Sequence, residues 1–166
     1  KYKNLEYMST LVTFKKNSLK NKNLPKNEKI SFRLSKKKDW IKIKKILPKI
    51  GTSRIYYDQK IDLKIRQNYL KNWIQNFFKN KRADKMSVCY DKKSKKIHGF
   101  ILLRFEKSHV VYDQLFVNKE SRGLGVGSGL INWTNKKFCS GLPVIAGVHL
   151  KNSNAIKLYS KLGFKK

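Results

Sequence analysis

Ser121-Arg-Gly-Leu-Gly-Val-Gly-Ser-Gly-Leu-Ile131 is the stretch on which the reading of this chain turns. It follows an apolar run, Val110-Val-Tyr-Asp-Gln-Leu-Phe-Val117, and opens a segment whose apolar residues have helical spacing. Alternate glycines at a strand-to-helix junction leave backbone N–H groups uncovered at a helix N-terminus, which makes a cradle for phosphate. Arg122 adds a fixed positive charge at its lip. The expectation is a phosphorylated cofactor held on residues 122–128.

Spacing narrows the choice of cofactor. A dinucleotide fingerprint reads Gly-x-Gly-x-x-Gly, yet its third glycine would fall on Ser128 or on Leu130 here. That fold also wants an acidic residue about 20 positions later for a ribose hydroxyl, and no Asp or Glu follows Glu120. A triphosphate-binding loop ends in Gly-Lys-Ser/Thr, and this one has no lysine. What stands is Arg122-Gly123-x-Gly125-x-Gly127. Nearer the C-terminus is a second pattern, Asn152-Ser-Asn-Ala155-Ile-Lys-Leu-Tyr159-Ser-Lys-Leu-Gly163-Phe164.

These two motifs, in this order and separated by a helix and a strand, resemble those of the GCN5-related N-acetyltransferases (GNAT). In that family the loop reads Gln/Arg-x-x-Gly-x-Gly/Ala, and the last motif reads Asn-x-x-Ala, then Tyr, then Gly-Phe. The resemblance covers roughly residues 30–164. It implies an α/β (α+β) fold in one domain, with a mixed, mostly antiparallel central sheet and helices on both faces. It implies acetyl-CoA as co-substrate and no metal. Arg122, Gly123, Leu124, Gly125, Val126, Gly127 and Ser128 would hold the diphosphate. The pantetheine arm would pair like an added strand with the backbone of Leu115, Phe116 and Val117. Asn152 would orient that arm or a water, with a plain helix cap as the other reading. Tyr159 would protonate the departing thiolate, since a phenol with a reference pKa near 10 keeps its proton at neutral pH. A tyrosine packed on an amphipathic helix is the alternative. The acceptor amine must lose a proton, and any carboxylate base lies upstream. Asp113 shares strand parity with Leu115 and Val117 and is the candidate. His98, His109, His149 and a water relay stay open, and Glu120 would repel the diphosphate if it faced inward.

The rest of the chain fits that order. Glu28–Leu34 reads as a strand, and Ser35 as the cap of a helix over Trp40–Leu47 that Pro48 ends. Gly51–Gln59 reads as a loop, and Leu63–Phe78 has helical apolar spacing. Met86–Tyr90, Ile97–Phe105 and Val110–Val117 read as a three-strand meander, and Leu124–Cys139 as a helix. Pro143–Leu150 reads as a buried strand and Asn154–Leu162 as a helix that Gly163 stops. Residues 1–27 are Lys- and Asn-rich and read as a tail or the end of an upstream segment, with the domain over 28–166. The chain does not begin with Met, and a fragment is expected. The family's last strand, after Gly-Phe, has no counterpart before Lys166. Either the sequence stops short of it or the strand comes from elsewhere.

A local resemblance bears on the acceptor. Thr52-Ser-Arg54-Ile-Tyr-Tyr57-Asp58, followed by Tyr69-Leu-Lys-Asn-Trp73-Ile, is similar to the helical segment of nucleotide-sugar amine acetyltransferases of the dTDP-fucosamine type. It implies that Arg54, Tyr57 and Asp58 line the acceptor site. A surface loop before a core helix is the plainer reading of each residue. Other acceptors, such as a protein N-terminus or an antibiotic, stay open.

Composition sets the outer bounds. The formal charge is +30, but only six of the 40 basic residues are arginine and the lysines are spread along the whole chain. Alanine occurs only at 83, 146 and 155, while Lys, Asn and Ile are abundant. That bias suggests an AT-rich genome rather than a selected nucleic-acid surface, although such a field attracts polyanions in a salt-dependent way. A non-catalytic polyanion binder is the competing class, and specific nucleic-acid binding is not expected. Two cysteines, Cys89 and Cys139, make no disulfide framework. No window approaches 18 apolar residues. The expectation is a cytoplasmic enzyme acting on a small-molecule amine, without membrane insertion and with a homodimer left open.

Overall fold

The computed structural model describes residues 10–17, 28–48, 54–56, 58–139 and 141–166. Strands β3 (Lys85–Asp91), β4 (Ile97–Phe105) and β5 (Val110–Val117) form the antiparallel meander that their alternating apolar residues imply. Alternation sends successive side chains to opposite faces. Ile101, Leu103 and Tyr112 therefore enter one core, and Met86, Val88, Phe100 and Leu102 enter another. Strand β2 (Ile30–Leu34) pairs with β3, and β6 (Val144–His149) runs parallel to β5. A further strand, β1 (Leu11–Lys16), lies antiparallel to β6. The sheet order is β1-β6-β5-β4-β3-β2.

Helices cover both faces. α1 (Asp39–Ile46) and α2 (Leu63–Phe78) bury Ile43, Leu70 and Ile74 against Phe100 and Leu102. α3 (Val126–Phe138) and α4 (Ser153–Lys161) bury Leu130, Ile131 and Tyr159 on the other face. The Asp62 side chain caps α2 by accepting from Lys64 N (2.8 Å) and Ile65 N (3.2 Å). The expected Ser35 cap of α1 does not form: the N-cap is Lys38, with no side-chain cap bond. Asp39 organises that turn instead. Its carboxylate accepts from Lys36 N (2.7 Å) and from both ends of the Arg33 fork (2.6 and 2.9 Å). Burial alone would raise the Asp39 carboxyl, but the Arg33 and Lys36 hydrogen bonds outweigh it and hold the group below the usual range.

Within the stretch expected as a tail or the end of an upstream segment, residues 11–16 form a strand of the sheet. Phe14 of β1 is fully buried and stacks on Tyr159 at 5.6 Å. Leu11-Val-Thr-Phe14 carries a local strand signal, with Val12 and Phe14 alternating toward the core, but it is short and lies in a Lys- and Asn-rich stretch that masked it. β1 is the edge strand of the sheet, beside β6. Lys165, just after Gly-Phe, bridges to Lys15 on the far side of β1.

Two irregularities shape the site. Between β4 and β5, Leu102 pairs with Gln114 and Leu103 with Tyr112, so Asp113 is an extra residue on β5. Such a bulge bends the strand and reverses side-chain phase. The parity expected for Asp113 is thereby overturned: Leu115 and Val117 pack toward α3 and α4, while Asp113 contacts Trp73 of α2. The second irregularity adjoins the first. β5 and β6 pair only from Val110–Val144 to Tyr112–Ala146, although β5 continues to Val117 and β6 to His149. From Asp113 onward the two parallel strands leave a wedge between them.

Candidate active site

β5 leads from this wedge directly into the glycine segment. Gly123 (φ +79°) and Gly125 (φ +76°) adopt the left-handed conformation that residues with a Cβ resist, and Gly125 is the N-cap of α3. The first helical bond of α3 runs from Gly129 N to Gly125 O (2.8 Å). The N–H groups of Val126, Gly127 and Ser128 therefore precede it, without partners inside the helix. A Cβ on Gly123 or Gly125 would meet nothing within 4 Å, so the outer side of the loop is open. Gly127 plays another part. A Cβ there would lie 3.2 Å from Leu158 and 3.6 Å from Val117, so its absence lets α3, α4 and β5 converge. Arg122 and Leu124 are exposed at the lip, Val126 is buried beneath it and Ser128 is half-buried. The chain has no carboxylate beyond Glu120, so every fixed side-chain charge from the loop to Lys166 is positive. This geometry and charge fit a diphosphate.

Two neighbouring residues, Gly99 and Ser121, were given no role by the sequence reading. A Cβ on Gly99 would fall 2.5 Å from Phe116 O and 3.2 Å from Val117 Cα, so this glycine admits the end of β5. A glycine inside an apolar strand is a signal of close approach, and it was there to be used. His98 sits in the β3–β4 bulge, its Nδ1 2.7 Å from Ser121 Oγ, and its carbonyl accepts from Asn118 N (2.8 Å). Ser121 is buried, so this pair ties the entry to the loop onto β4. Glu120 turns to the β3–β4 connection, where Lys96 meets it at 2.8 Å. Hydrogen bonding to Lys96 lowers its carboxyl.

Tyr159 lies in the apolar layer below the wedge, with Phe14, Tyr112 and Phe164 around its ring at 5.6, 6.3 and 5.1 Å. Burial pushes its phenol above the ordinary value, which keeps the proton on oxygen at neutral pH. Asn152 caps α4, its Oδ1 accepting from Ala155 N at 3.2 Å. Leu115, Phe116 and Val117 lie where β5 is paired with β4 but not with β6; Phe116 points to α2 and the other two to α3 and α4.

The acceptor-side residues are less gathered. Tyr57 and the side chain of Arg54 lie outside the described residues. Asp58 accepts from Lys60 N (3.0 Å) within its own turn. Tyr56 is the buried residue of that segment, edge-on to Tyr69 (6.1 Å), which is edge-on to Trp73 (5.2 Å). Asp113 is almost fully buried, and both its oxygens are taken. Arg82 donates from Nε (3.0 Å) and Nη2 (2.8 Å), and Trp73 from Nε1 (2.8 Å). A carboxylate saturated by three donors is poorly placed to collect a proton from an amine.

A cavity of about 520 Å³, lined by Arg33, Asp39, Lys42, Tyr90 and Lys95 among others, lies by α1 at the β2 edge. It is three strands from β5, roughly 14 Å at ordinary strand spacing, and is not the wedge. Among the described residues, no group of three His, Cys, Asp or Glu side chains could hold a metal ion. Among them too, no helix is long and apolar enough to cross a membrane.

Comparison with known proteins agrees with this geometry. A family model for the acetyltransferase (GNAT) domain matches residues 82–166, just over half of the chain. No curated protein sequence matches it. A tandem GNAT protein from the clavulanic acid biosynthesis pathway superimposes with a TM-score of 0.64 at 10% identity, over 96% of this chain and 51% of that one. A functionally unknown conserved protein from Staphylococcus epidermidis gives 0.68 at 15% identity, over 93% and 56%. A possible acetyltransferase from Clostridium difficile gives 0.57 at 19%, over 84% and 92%. The chain thus spans about half the length of the first two structures, and at these identities the likeness is one of fold. The family match over residues 82–166, with the wedge and glycine cradle inside it, assigns the chain to the acetyltransferase (GNAT) domain family, whose members use acetyl-CoA as co-substrate.

Proposed function

We propose that the chain is an N-acetyltransferase that moves acetyl from acetyl-CoA to a primary amine, with an amino-sugar nucleotide as the acceptor. The observation that carries the reading is the run of β5, residues 113–117, whose edge toward β6 is unpaired and which leads straight into the glycine-opened N-terminus of α3. A strand edge takes an extended, amide-bearing arm by main-chain hydrogen bonds. The N-terminus beyond it takes the diphosphate on the N–H groups of Val126, Gly127 and Ser128. Acetyl-CoA supplies a thioester with a good leaving group. Tyr159 holds the proton that a departing thiolate needs.

Direct transfer between two bound substrates suits the side chains present. Cys89 and Cys139 are buried, and desolvation pushes both thiols up to about 12. Neither is a thiolate at neutral pH, which disfavours an acyl-cysteine intermediate. For the acceptor, support comes from the likeness of residues 52–58 and 69–74 to nucleotide-sugar amine acetyltransferases and from the aromatic row of Tyr56, in the turn before α2, with Tyr69 and Trp73 of α2. The strongly positive chain favours an anionic acceptor and disfavours polyamines. A homodimer fits this reading without being required by it.

Thermal unfolding with acetyl-CoA, against ATP and heparin in moderate salt, tests the cofactor. Ligand at 100 times its dissociation constant should stabilise the fold by about 2.7 kcal/mol. A shift specific to coenzyme A compounds is expected and licenses a transfer screen of amino-sugar nucleotides against other amines. An equal shift with every polyanion would mean that charge alone is the function, and transfer only to another amine would replace the acceptor.

A further inference from the structure

The three donors on Asp113 mark more than a satisfied buried acid. They converge on the single residue where β5 bulges away from β4, directly after the last pair that β5 makes with β6. Trp73 comes from α2, and Arg82 from the connection between α2 and β3. The Arg82 guanidinium also lies over the Trp73 ring, its central carbon 3.6 Å from the centroid. One planar cation is thus held by an indole face and a carboxylate together, and the indole N–H closes the triangle. That connection is bent at a cost. Asn80 (φ 57°) and Ala83 (φ 58°) both take the left-handed conformation without being glycine, and a strained backbone persists only where its surroundings hold it. It is pinned at both ends, by Lys81 N to Asn76 O (2.8 Å) and by Asp84 N to Leu103 O (2.8 Å).

We propose that Arg82, Trp73 and Asp113 form a clamp that fixes the bulge of β5 and so holds the β5–β6 wedge in the shape that receives the pantetheine arm. Without the bulge, strict alternation back from Leu115 and Val117 would turn Asp113 to the α3 side and Tyr112 away from it; only the extra residue lets Tyr112, Leu115 and Val117 share that side while Asp113 faces α2. The α3 face is apolar, with Tyr112, Val126 and Leu130 in it. An unpaired carboxylate is excluded from such a face. The clamp supplies the alternative: three donors on the α2 side, where the reversal in phase becomes favourable. The free edge of residues 113–117 is the consequence. Arg82 and Trp73 are therefore positioning residues, and Asp113 is one as well, in place of the general base expected from the sequence. The clamp also joins the helix bearing the aromatic row to the strand bearing the arm.

This inference rests on the reading that the arm lies along β5, and the test separates the two. Acetyl-CoA occupies both the wedge and the glycine cradle. The phosphoadenosine diphosphate fragment of coenzyme A, which lacks the arm, occupies the cradle alone. Calorimetric affinities for both ligands are measured on the wild type, on Arg82→Lys, which keeps the charge and loses the fork, and on Trp73→Phe, which keeps a ring and loses the N–H donor. Melting temperatures without ligand are recorded alongside. The expected result is a loss of about tenfold in acetyl-CoA affinity in both variants with the affinity of the fragment unchanged. A purely structural clamp would lower the melting temperature and leave the ratio of the two affinities where it was, which would overturn the proposal. If the wild type itself binds the fragment as tightly as acetyl-CoA, the placement of the arm on β5 falls, and the clamp's role falls with it. Should Arg82→Lys fail to fold, Trp73→Phe carries the test alone.

Discussion

Two arginine–aspartate forks of nearly the same build stand three strands apart, one at the β2 edge of the sheet and one on β5 in its interior. Arg33 grips Asp39 at 2.6 and 2.9 Å, and Arg82 grips Asp113 at 2.8 and 3.0 Å. Each pairs a nearly buried carboxylate with a guanidinium about one-third exposed. Each arginine also lies over an aromatic ring, Tyr90 in one case and Trp73 in the other. The chemistry is shared, and the surroundings are not. The first fork joins the edge strand β2 to the start of α1, where β2 pairs with β3 in unbroken register. The second sits on a bulge where β5 stops pairing with β6. An ion pair in a regular ladder adds stability to a structure that already has its shape. The same pair at an irregularity decides which shape the strand takes.

The sharpest way to break this contrast is to disable the cradle beside the wedge. Gly125→Glu should lower acetyl-CoA affinity by more than a hundredfold, because a carboxylate would enter the site meant for a diphosphate. Gly125→Ala supplies the control, since it carries only the left-handed strain, of roughly 1 kcal/mol. Retained affinity in Gly125→Glu, read by calorimetry, would remove function from that region of the molecule. Tyr159→Phe is the next largest. Turnover should fall between roughly tenfold and a hundredfold with acetyl-CoA affinity intact, as expected for loss of a proton donor that packs as well as it donates. An unchanged kcat would return Tyr159 to a packing role beside Phe14.

At the β2-edge fork, Asp39→Asn should cost about 2 kcal/mol of folding stability and leave acetyl-CoA affinity untouched. Its pH dependence has a definite sign. The folded Asp39 carboxyl lies below its ordinary value, so the native state binds its proton less readily than the unfolded chain. The stabilisation is fully present above the unfolded pKa, near 4, and drains away as pH falls through the folded one. Urea midpoints of wild type and Asp39→Asn should therefore converge on acidification below about pH 4. A constant gap down to the lowest pH at which the protein stays folded would show that the fork contributes nothing through its charge.

Legibility followed the range of the forces involved. α2, β4 and β5 coincide with the expected Leu63–Phe78, Ile97–Phe105 and Val110–Val117, because periodic burial writes itself into neighbouring residues. The glycine motif was readable because positive φ is a local demand that few residues meet. The Ser35 cap failed since Asp39, four residues on, could recruit Arg33 from the preceding strand, a contact that no local pattern announces. β1 was masked because its short strand signal lies in a Lys- and Asn-rich stretch, while the residues that Phe14 packs with, Tyr159 and Phe164, are far along the chain.

Asp113 draws the line most clearly. By itself the sequence determined that a strand runs from Val110 to Val117, that a glycine-opened helix follows, and that no acid comes after Glu120. Those are consequences of residue types and short spacings. Only the tertiary structure decided which way the Asp113 carboxylate turns. A bulge of one residue reverses the face of a side chain without changing its strand, and what holds this bulge are Trp73 and Arg82, 40 and 31 positions away in the chain. Side-chain phase within a strand is a local property until a partner strand and a distant donor compete for it, and then the burial of a charge, worth more than any local preference, settles the outcome.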